Sequence, residues 1–91
     1  MSQVAEQVVE VTNAQGLHIR PAGDVVKTAI SFVSDITISR GKDVVNARSI
    51  VALTTMGVRM GTRLTIRAEG PDAEAAVKAL AALFNAKFGE E

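Results

Sequence analysis

The stretch Gly16-Leu17-His18-Ile19-Arg20-Pro21-Ala22 places the only histidine of the chain at the predicted start of a helix. Pro21 has no backbone N–H, so it suits the first turn of a helix, where that donor has no partner in any case. Downstream, apolar residues recur at helical spacing and predict a buried stripe of Ala22, Val25, Val26, Ala29 and Val33. Upstream, Asn13-Ala14-Gln15-Gly16 contains residues typical of turns. The stretch therefore predicts a loop that enters a helix at His18.

This position gives His18 a candidate chemical role. The first backbone N–H groups of a helix have no intrahelical acceptor, and together with the helix dipole they attract anions. An imidazole can act as a nucleophile near neutral pH, and the guanidinium of Arg20 suits phosphate oxygens. The combination predicts a phosphoryl acceptor. The alternative from spacing alone is a solvated or structural histidine at a helix start.

Composition limits the classes of function. The chain has 91 residues, 47% of them hydrophobic, and its ten basic residues balance ten acidic ones. This predicts one small domain over residues 1–91, with no general attraction to nucleic acid. The absence of cysteine and the single histidine leave little for a metal, and we expect no cofactor. The polar start, Met1 to Gln7, is unlike a signal peptide and no apolar run is long enough to span a bilayer, so we expect a cytoplasmic protein without membrane insertion.

The residue pattern predicts alternating strands and helices. The expected strands are Val8–Thr12, Asp35–Ser39, Val44–Asn46 and Arg63–Glu69. The first expected helix runs from Ile19 or Pro21 to about Ala29 or Phe32. The second runs from the N-cap Ser49 to Met56, and the third from Asp72 to about Gly89. The buried stripe of the last helix is expected to be Ala73, Ala76, Val77, Leu80, Leu83, Phe84 and Phe88. The order β-α-β-β-α-β-α predicts an α+β fold, a two-layer open-faced sandwich in which three helices cover one face of a four-stranded antiparallel sheet.

Two separated motifs in this chain resemble those of the HPr family, the histidine-containing phosphocarriers of the bacterial phosphoenolpyruvate-dependent sugar phosphotransferase system. The first is Gly16–Ala22 and the second is Val45-Asn46-Ala47-Arg48-Ser49-Ile50. Further matches, at Leu53, Gly57, Gly61 and Ala68-Glu69-Gly70, extend the resemblance over nearly the whole chain.

The resemblance implies a role for each matching residue. His18 would accept a phosphoryl group on Nδ1 from phosphorylated enzyme I and pass it to a histidine of an enzyme IIA protein, with Arg20 stabilising the phosphate. Such a protein is a stoichiometric carrier within a phosphotransferase relay rather than a self-contained enzyme. Ser49 would be the serine that an HPr kinase/phosphorylase modifies. The expected docking surface for partners is formed by Ile19, Gly23, Ile50, Val51, Leu53, Met56 and Gly57.

Some features leave alternatives open. Ile19 and Gly23-Asp24 differ from the residues common in the family, which keeps a paralogue specialised for nitrogen control in view. A non-catalytic α+β binding module is the other alternative, but strand residues Arg63 to Glu69 predict a mixed, solvated sheet face instead of a basic or aromatic one. No second acid–base group lies beside His18 in the sequence, which argues against a self-contained enzyme. We expect a monomer, because the apolar patch on the second helix is small.

Overall fold

The computed structural model describes residues 2–90, so the first and last residues of the expected 1–91 domain lie outside it. The elements are β1 Gln3–Glu10, α1 Ile19–Ala29, β2 Asp35–Arg40, β3 Asp43–Asn46, α2 Ile50–Thr55, β4 Arg63–Gly70, α3 Ala73–Asn85 and a 3₁₀ turn Lys87–Gly89. This is the expected β-α-β-β-α-β-α order. Among residues 2–90, no helix is both long and apolar enough to cross a membrane.

The four strands form one antiparallel sheet in the order β1-β4-β2-β3. β4 alternates cleanly: Leu64, Ile66 and Ala68 are buried, while the residues between them face the open side. Charged side chains cross that open face, with Arg67 contacting Glu6 on β1 at 3.3 Å. One face of the sheet is therefore solvated, as the sequence pattern predicts.

The helices cover the other face and complete the core. α3 lies on β1 and β4, and α1 packs against α2 and α3. Most of the helical side chains in the core are small or branched, and Phe84 is the aromatic exception; they include Ala22, Val25, Ala29, Leu53, Ala76 and Leu80. The α+β two-layer sandwich is confirmed.

Several expected boundaries are wrong. β1 spans Gln3–Glu10 instead of Val8–Thr12, because pairing with β4 uses backbone groups and recruits polar residues that a side-chain pattern does not reveal. α1 ends at Ala29, so Val33 lies beyond the helix and is 77% exposed instead of joining the buried stripe. The backbone N–H groups of Val33 and Ser34 instead donate to the carboxylate of Asp72, which holds this turn.

The last helix also stops earlier than expected. α3 ends at Asn85, and Lys87 and Phe88 take left-handed backbone angles, with φ of 55° and 54°. Phe88 still reaches the core, where its ring meets Phe84 edge-on at 4.8 Å between centroids. The apolar spacing indicates correctly that Phe88 is buried, but it misassigns the backbone that carries it there.

Candidate functional site

The loop before α1 is held tightly against the loop that follows α2. Gly16 has φ of +67°, and a Cβ atom built on it would lie 2.3 Å from the carbonyl oxygen of Val58. The next residue, Leu17, is buried and donates its N–H to that same oxygen at 3.0 Å. These contacts fix the backbone immediately before His18, and only glycine fits at position 16 without displacing it.

His18 is the N-cap of α1 and has an extended backbone, with φ of −77° and ψ of −174°. Its side chain does not cap the helix and is 31% exposed, so the imidazole lies at the surface. The first intrahelical bond runs from the N–H of Ala22 to the carbonyl oxygen of His18. The N–H groups of Ile19 and Arg20 therefore have no intrahelical acceptor, and Pro21 has no backbone N–H group. The helix start beside His18 is suited to an anion.

A carboxylate lies beside the imidazole that the sequence does not place there. Glu90, 72 positions away, puts its two carboxylate oxygens 3.1 and 2.9 Å from Nε2 of His18. Arg20 donates to the same carboxylate at 2.8 Å and to the carbonyl oxygen of Phe88 at 3.1 Å. His18 and Arg20 thus both bond to the carboxylate of Glu90, a residue that the sequence does not place at this site.

Asn13 is the third residue that bonds to the carboxylate of Glu90. Its side chain is fully buried, and its amide nitrogen donates to the carbonyl oxygen of Gly16 at 2.7 Å and to Glu90 at 3.0 Å. Both partners are acceptors, so the amide group must face them with its nitrogen. Its Oδ1 is buried and has no hydrogen-bond partner among residues 2–90. Asn13 therefore links the loop that carries His18 to the carboxylate beside the imidazole.

The carboxyl group of Glu90 favours its ionised form in this setting. The hydrogen bond from His18 is the main cause that holds the pKa of Glu90 below its ordinary value; the Asn13 bond and the charges of His18 and Arg20 act in the same direction, and desolvation opposes them. The side chain is only 19% exposed. A largely covered carboxylate thus faces the imidazole near neutral pH.

The expected docking residues are exposed or half-buried, with the exception of Leu53. Ile19 and Val51 are each 70% exposed, and Ile50 is 37% exposed. A Cβ on Gly23 would meet Cδ1 of Ile50 at 3.8 Å, so α1 and α2 meet at this point. Met56 is half-buried and Gly57 is exposed. Leu53 is completely buried, which corrects its expected place on the surface: it faces inward because it lies on the core side of the short helix.

Ser49 caps α2 as the sequence predicts. Its hydroxyl oxygen accepts the N–H of Ala52 at 3.2 Å. The residue is half-buried and immediately precedes Ile50 and Val51. A charge placed on this hydroxyl would therefore lie next to the exposed apolar residues of α2.

Sequence reasoning missed Glu90 and treated Asn13 only as a turn residue. Glu90 follows the expected end of the last helix, and no local pattern signals that the chain turns back there. For Asn13, the available signal was an amide side chain close before the only histidine. No group of three or more possible metal ligands occurs within residues 2–90.

Comparison with known proteins places these features in context. A family model described as "PTS HPr component phosphorylation site" matches residues 5–86. The phosphocarrier protein HPr of Vibrio cholerae is 45% identical over 80 residues, which cover 88% of this chain and 94% of that protein. A multiphosphoryl transfer protein of the same organism is 42% identical over 83 residues, 88% of this chain but 21% of that longer protein. The crystal structure of HPr-C-His from Thermoanaerobacter tengcongensis superposes with a TM-score of 0.91 at 44% identity, covering 96% of this chain and 98% of that one.

Proposed function

The chain belongs to the HPr family, the phosphocarriers of the phosphotransferase system, and we propose that His18 is the residue that carries the phosphoryl group. The observation that supports this most directly is the surface-exposed imidazole at the N-terminus of α1. Phosphoryl transfer depends on positioning and charge stabilisation more than on covalent machinery. The helix start and Arg20 offer both around His18, and a docked partner supplies the rest.

The proposed donor is phosphorylated enzyme I, and the proposed acceptor is a histidine of an enzyme IIA protein. Nδ1 of His18 attacks phosphorus, the new N–P bond forms, and the donor's bond to phosphorus breaks with its electron pair remaining on the donor. Within residues 2–90, the only hydrogen bonds to the imidazole reach Nε2. That arrangement leaves Nδ1 available for the reaction.

Arg20 has to change partners for its proposed role. Its guanidinium, 55% exposed, contacts Glu90 and the backbone of Phe88. Arginine binds carboxylate and phosphate oxygens with the same planar donors. We therefore expect Arg20 to contact the phosphoryl oxygens once His18 is modified.

The proposed docking surface consists of Ile19, Gly23, Ile50, Val51, Met56 and Gly57. Its exposed apolar side chains lie on α1 and α2, which meet beside Gly23. One patch can serve enzyme I and enzyme IIA in turn, because a carrier releases one partner before it binds the next. A partner at this patch lies next to the start of α1, which carries His18.

Ser49 is the proposed regulatory residue, modified by an HPr kinase/phosphorylase. Its hydroxyl lies at the N-terminal end of α2, so an added phosphate would not require α2 to unfold. The new charge would lie beside the apolar docking residues and would weaken association with acidic partners.

The first experiment measures intact mass after incubation with phosphoenolpyruvate and enzyme I. We expect a gain of one acid-labile phosphoryl group in the wild-type chain and none in His18→Ala. Because His18 is the only histidine, a phosphohistidine in the mutant cannot arise elsewhere. Failure of the folded wild-type protein to gain mass with several enzyme I proteins would contradict the proposed function.

A further inference from the structure

The carboxylate of Glu90 is the most connected polar group around His18. It accepts hydrogen bonds from three side chains of the segment that leads into α1: the imidazole of His18, the guanidinium of Arg20 and the amide of Asn13. Oε2 lies 2.9 Å from His18 and 2.8 Å from Arg20, and Oε1 lies 3.0 Å from Asn13. The position of the carboxylate is therefore determined from three directions.

The segment that carries Glu90 is held in place by contacts outside the imidazole. Phe88 is 5% exposed and packs on Phe84, and Arg20 bonds the carbonyl oxygen of Phe88 with both terminal nitrogens at 3.1 Å. Two consecutive non-glycine residues, Lys87 and Phe88, have left-handed backbone angles. Such angles persist in ordinary residues only where surrounding contacts require them.

These contacts determine which ring nitrogen carries the proton. An ionised carboxylate can only accept hydrogen bonds, so the nitrogen of His18 that faces Glu90 must carry a hydrogen. That nitrogen is Nε2. In a neutral imidazole the other nitrogen then holds the lone pair. The lone pair is thus on Nδ1, the nitrogen that no hydrogen bond reaches within residues 2–90.

We propose that Glu90 is a positioning residue for phosphoryl transfer: it accepts the Nε2–H of His18, which fixes the ring and keeps the lone pair on Nδ1. This inference rests on the proposed function of His18. During transfer, the Nδ1–P bond forms and the donor's bond to phosphorus breaks, with its electron pair left on the donor. The Nε2 proton stays on His18 throughout, hydrogen-bonded to Glu90. The carboxylate orients the nucleophile and does not itself take the phosphoryl group.

The test measures tautomer and rate on the same variants. Long-range ¹H–¹⁵N spectra report the proton position on the single histidine at a pH where the imidazole is neutral. Glu90→Ala is expected to shift the ring nitrogens towards a mixture of tautomers and to slow phosphoryl acceptance from phosphorylated enzyme I about tenfold, the lower end of the cost of losing a partner that orients a metal-bound histidine. Glu90→Gln keeps an oxygen acceptor of equal reach and should restore both readouts at least in part. Glu10→Ala removes an exposed carboxylate of the sheet and should change neither.

Each outcome has a defined meaning. Unchanged ¹⁵N shifts and rate in a folded Glu90→Ala would overturn the role of Glu90, and so would faster acceptance, which would identify the carboxylate as a charge barrier. Failure of Glu90→Gln to restore either readout would also overturn it, because hydrogen-bond acceptance would not be the cause. Absence of phosphoryl uptake by the wild-type chain would instead refute the proposed function, a result that the tautomer measurement distinguishes from failure of the Glu90 proposal.

Discussion

At the scale of single residues, Gly16 shows how a backbone requirement supports the site. Its left-handed φ and its approach to Val58 leave no room for a side chain. Gly41 has a similar φ of +59°, but a Cβ there would meet nothing within 4 Å. Substitutions at the two positions therefore distinguish the free-energy cost of the left-handed backbone angle from the cost of a steric clash.

We predict that Gly16→Ala destabilises the protein more than Gly41→Ala does. The backbone angle alone costs about 1–2 kcal/mol in either variant, and the clash with Val58 adds roughly 1–3 kcal/mol at position 16. Urea denaturation followed by circular dichroism measures both free energies of unfolding. Gly16→Ala should also slow phosphoryl uptake, because the loop leading to His18 must move. Equal stability of the two variants would contradict the close approach.

Glu90 makes the same site sensitive to acid. Hydrogen bonding from His18 lowers the folded-state pKa of Glu90 from its ordinary value of 4.5. The stability from this contact is therefore fully present above pH 4.5 and is lost as the pH falls through the lower folded-state pKa. We predict that amide signals of Phe88 to Glu90 shift in NMR spectra recorded across that acidic range. The transition should be missing in Glu90→Gln, and its persistence there would assign it to another group.

At the scale of elements, the short helix α2 combines a structural cap with a proposed regulatory site. The Ser49 hydroxyl satisfies one N–H of the first turn, and loss of such a cap costs about 1 kcal/mol. Asp and Asn both replace serine well as caps. The variants Ser49→Asp and Ser49→Asn therefore differ in the charge at position 49, while both keep a side chain that can cap α2.

We predict that Ser49→Asp slows phosphoryl acceptance from phosphorylated enzyme I several-fold, while Ser49→Asn transfers at nearly the wild-type rate. Both variants should unfold within about 1 kcal/mol of wild type, because each retains a capping side chain. Stopped-flow or quench-flow transfer assays give the rates, and thermal denaturation gives the stabilities. Equal rates for the two variants would show that negative charge at this position does not control docking.

At the scale of the whole molecule, the hydrophobic core and the site are joined through Phe88. Its ring lies in the core against Phe84, while its carbonyl oxygen accepts from Arg20. The next residues deliver Glu90 to His18. The packing of Phe88 on Phe84 thus helps to position Glu90 beside His18.

We predict that Phe88→Ala lowers the free energy of unfolding by up to about 3 kcal/mol, the low end for a buried phenylalanine because the segment can relax. It should also release Glu90, which the NMR signals of the His18 ring would report. Leu83→Ala is the matched control: Leu83 lies on the same helix as Phe84, is half-buried and packs against the core. It should cost stability but leave the His18 signals unchanged. The same shift in both variants would point to general loosening of the fold.

The sequence alone was sufficient for the order of elements, the sandwich architecture, the helix start at His18 and the cap at Ser49. These features depend on local preferences: apolar periodicity, proline in a first turn, and serine before a helix. Each of these preferences depends on residues close together in the sequence, so it can be recognised without the tertiary structure. The full extent of β1 was different, because its first residues are recruited by backbone pairing with β4.

Only the tertiary structure placed Glu90 and Asn13 around the imidazole and turned Leu53 inward. The Glu90–His18 contact joins residues 72 positions apart and depends on the left-handed turn at Lys87 and Phe88. No local propensity predicts that turn, since ordinary residues adopt it only when burial of Phe88 and the bonds from Arg20 offset its cost. The proposed nucleophile, His18, can therefore be identified from the sequence, whereas Glu90, the carboxylate proposed to orient it, is placed by packing between distant parts of the chain.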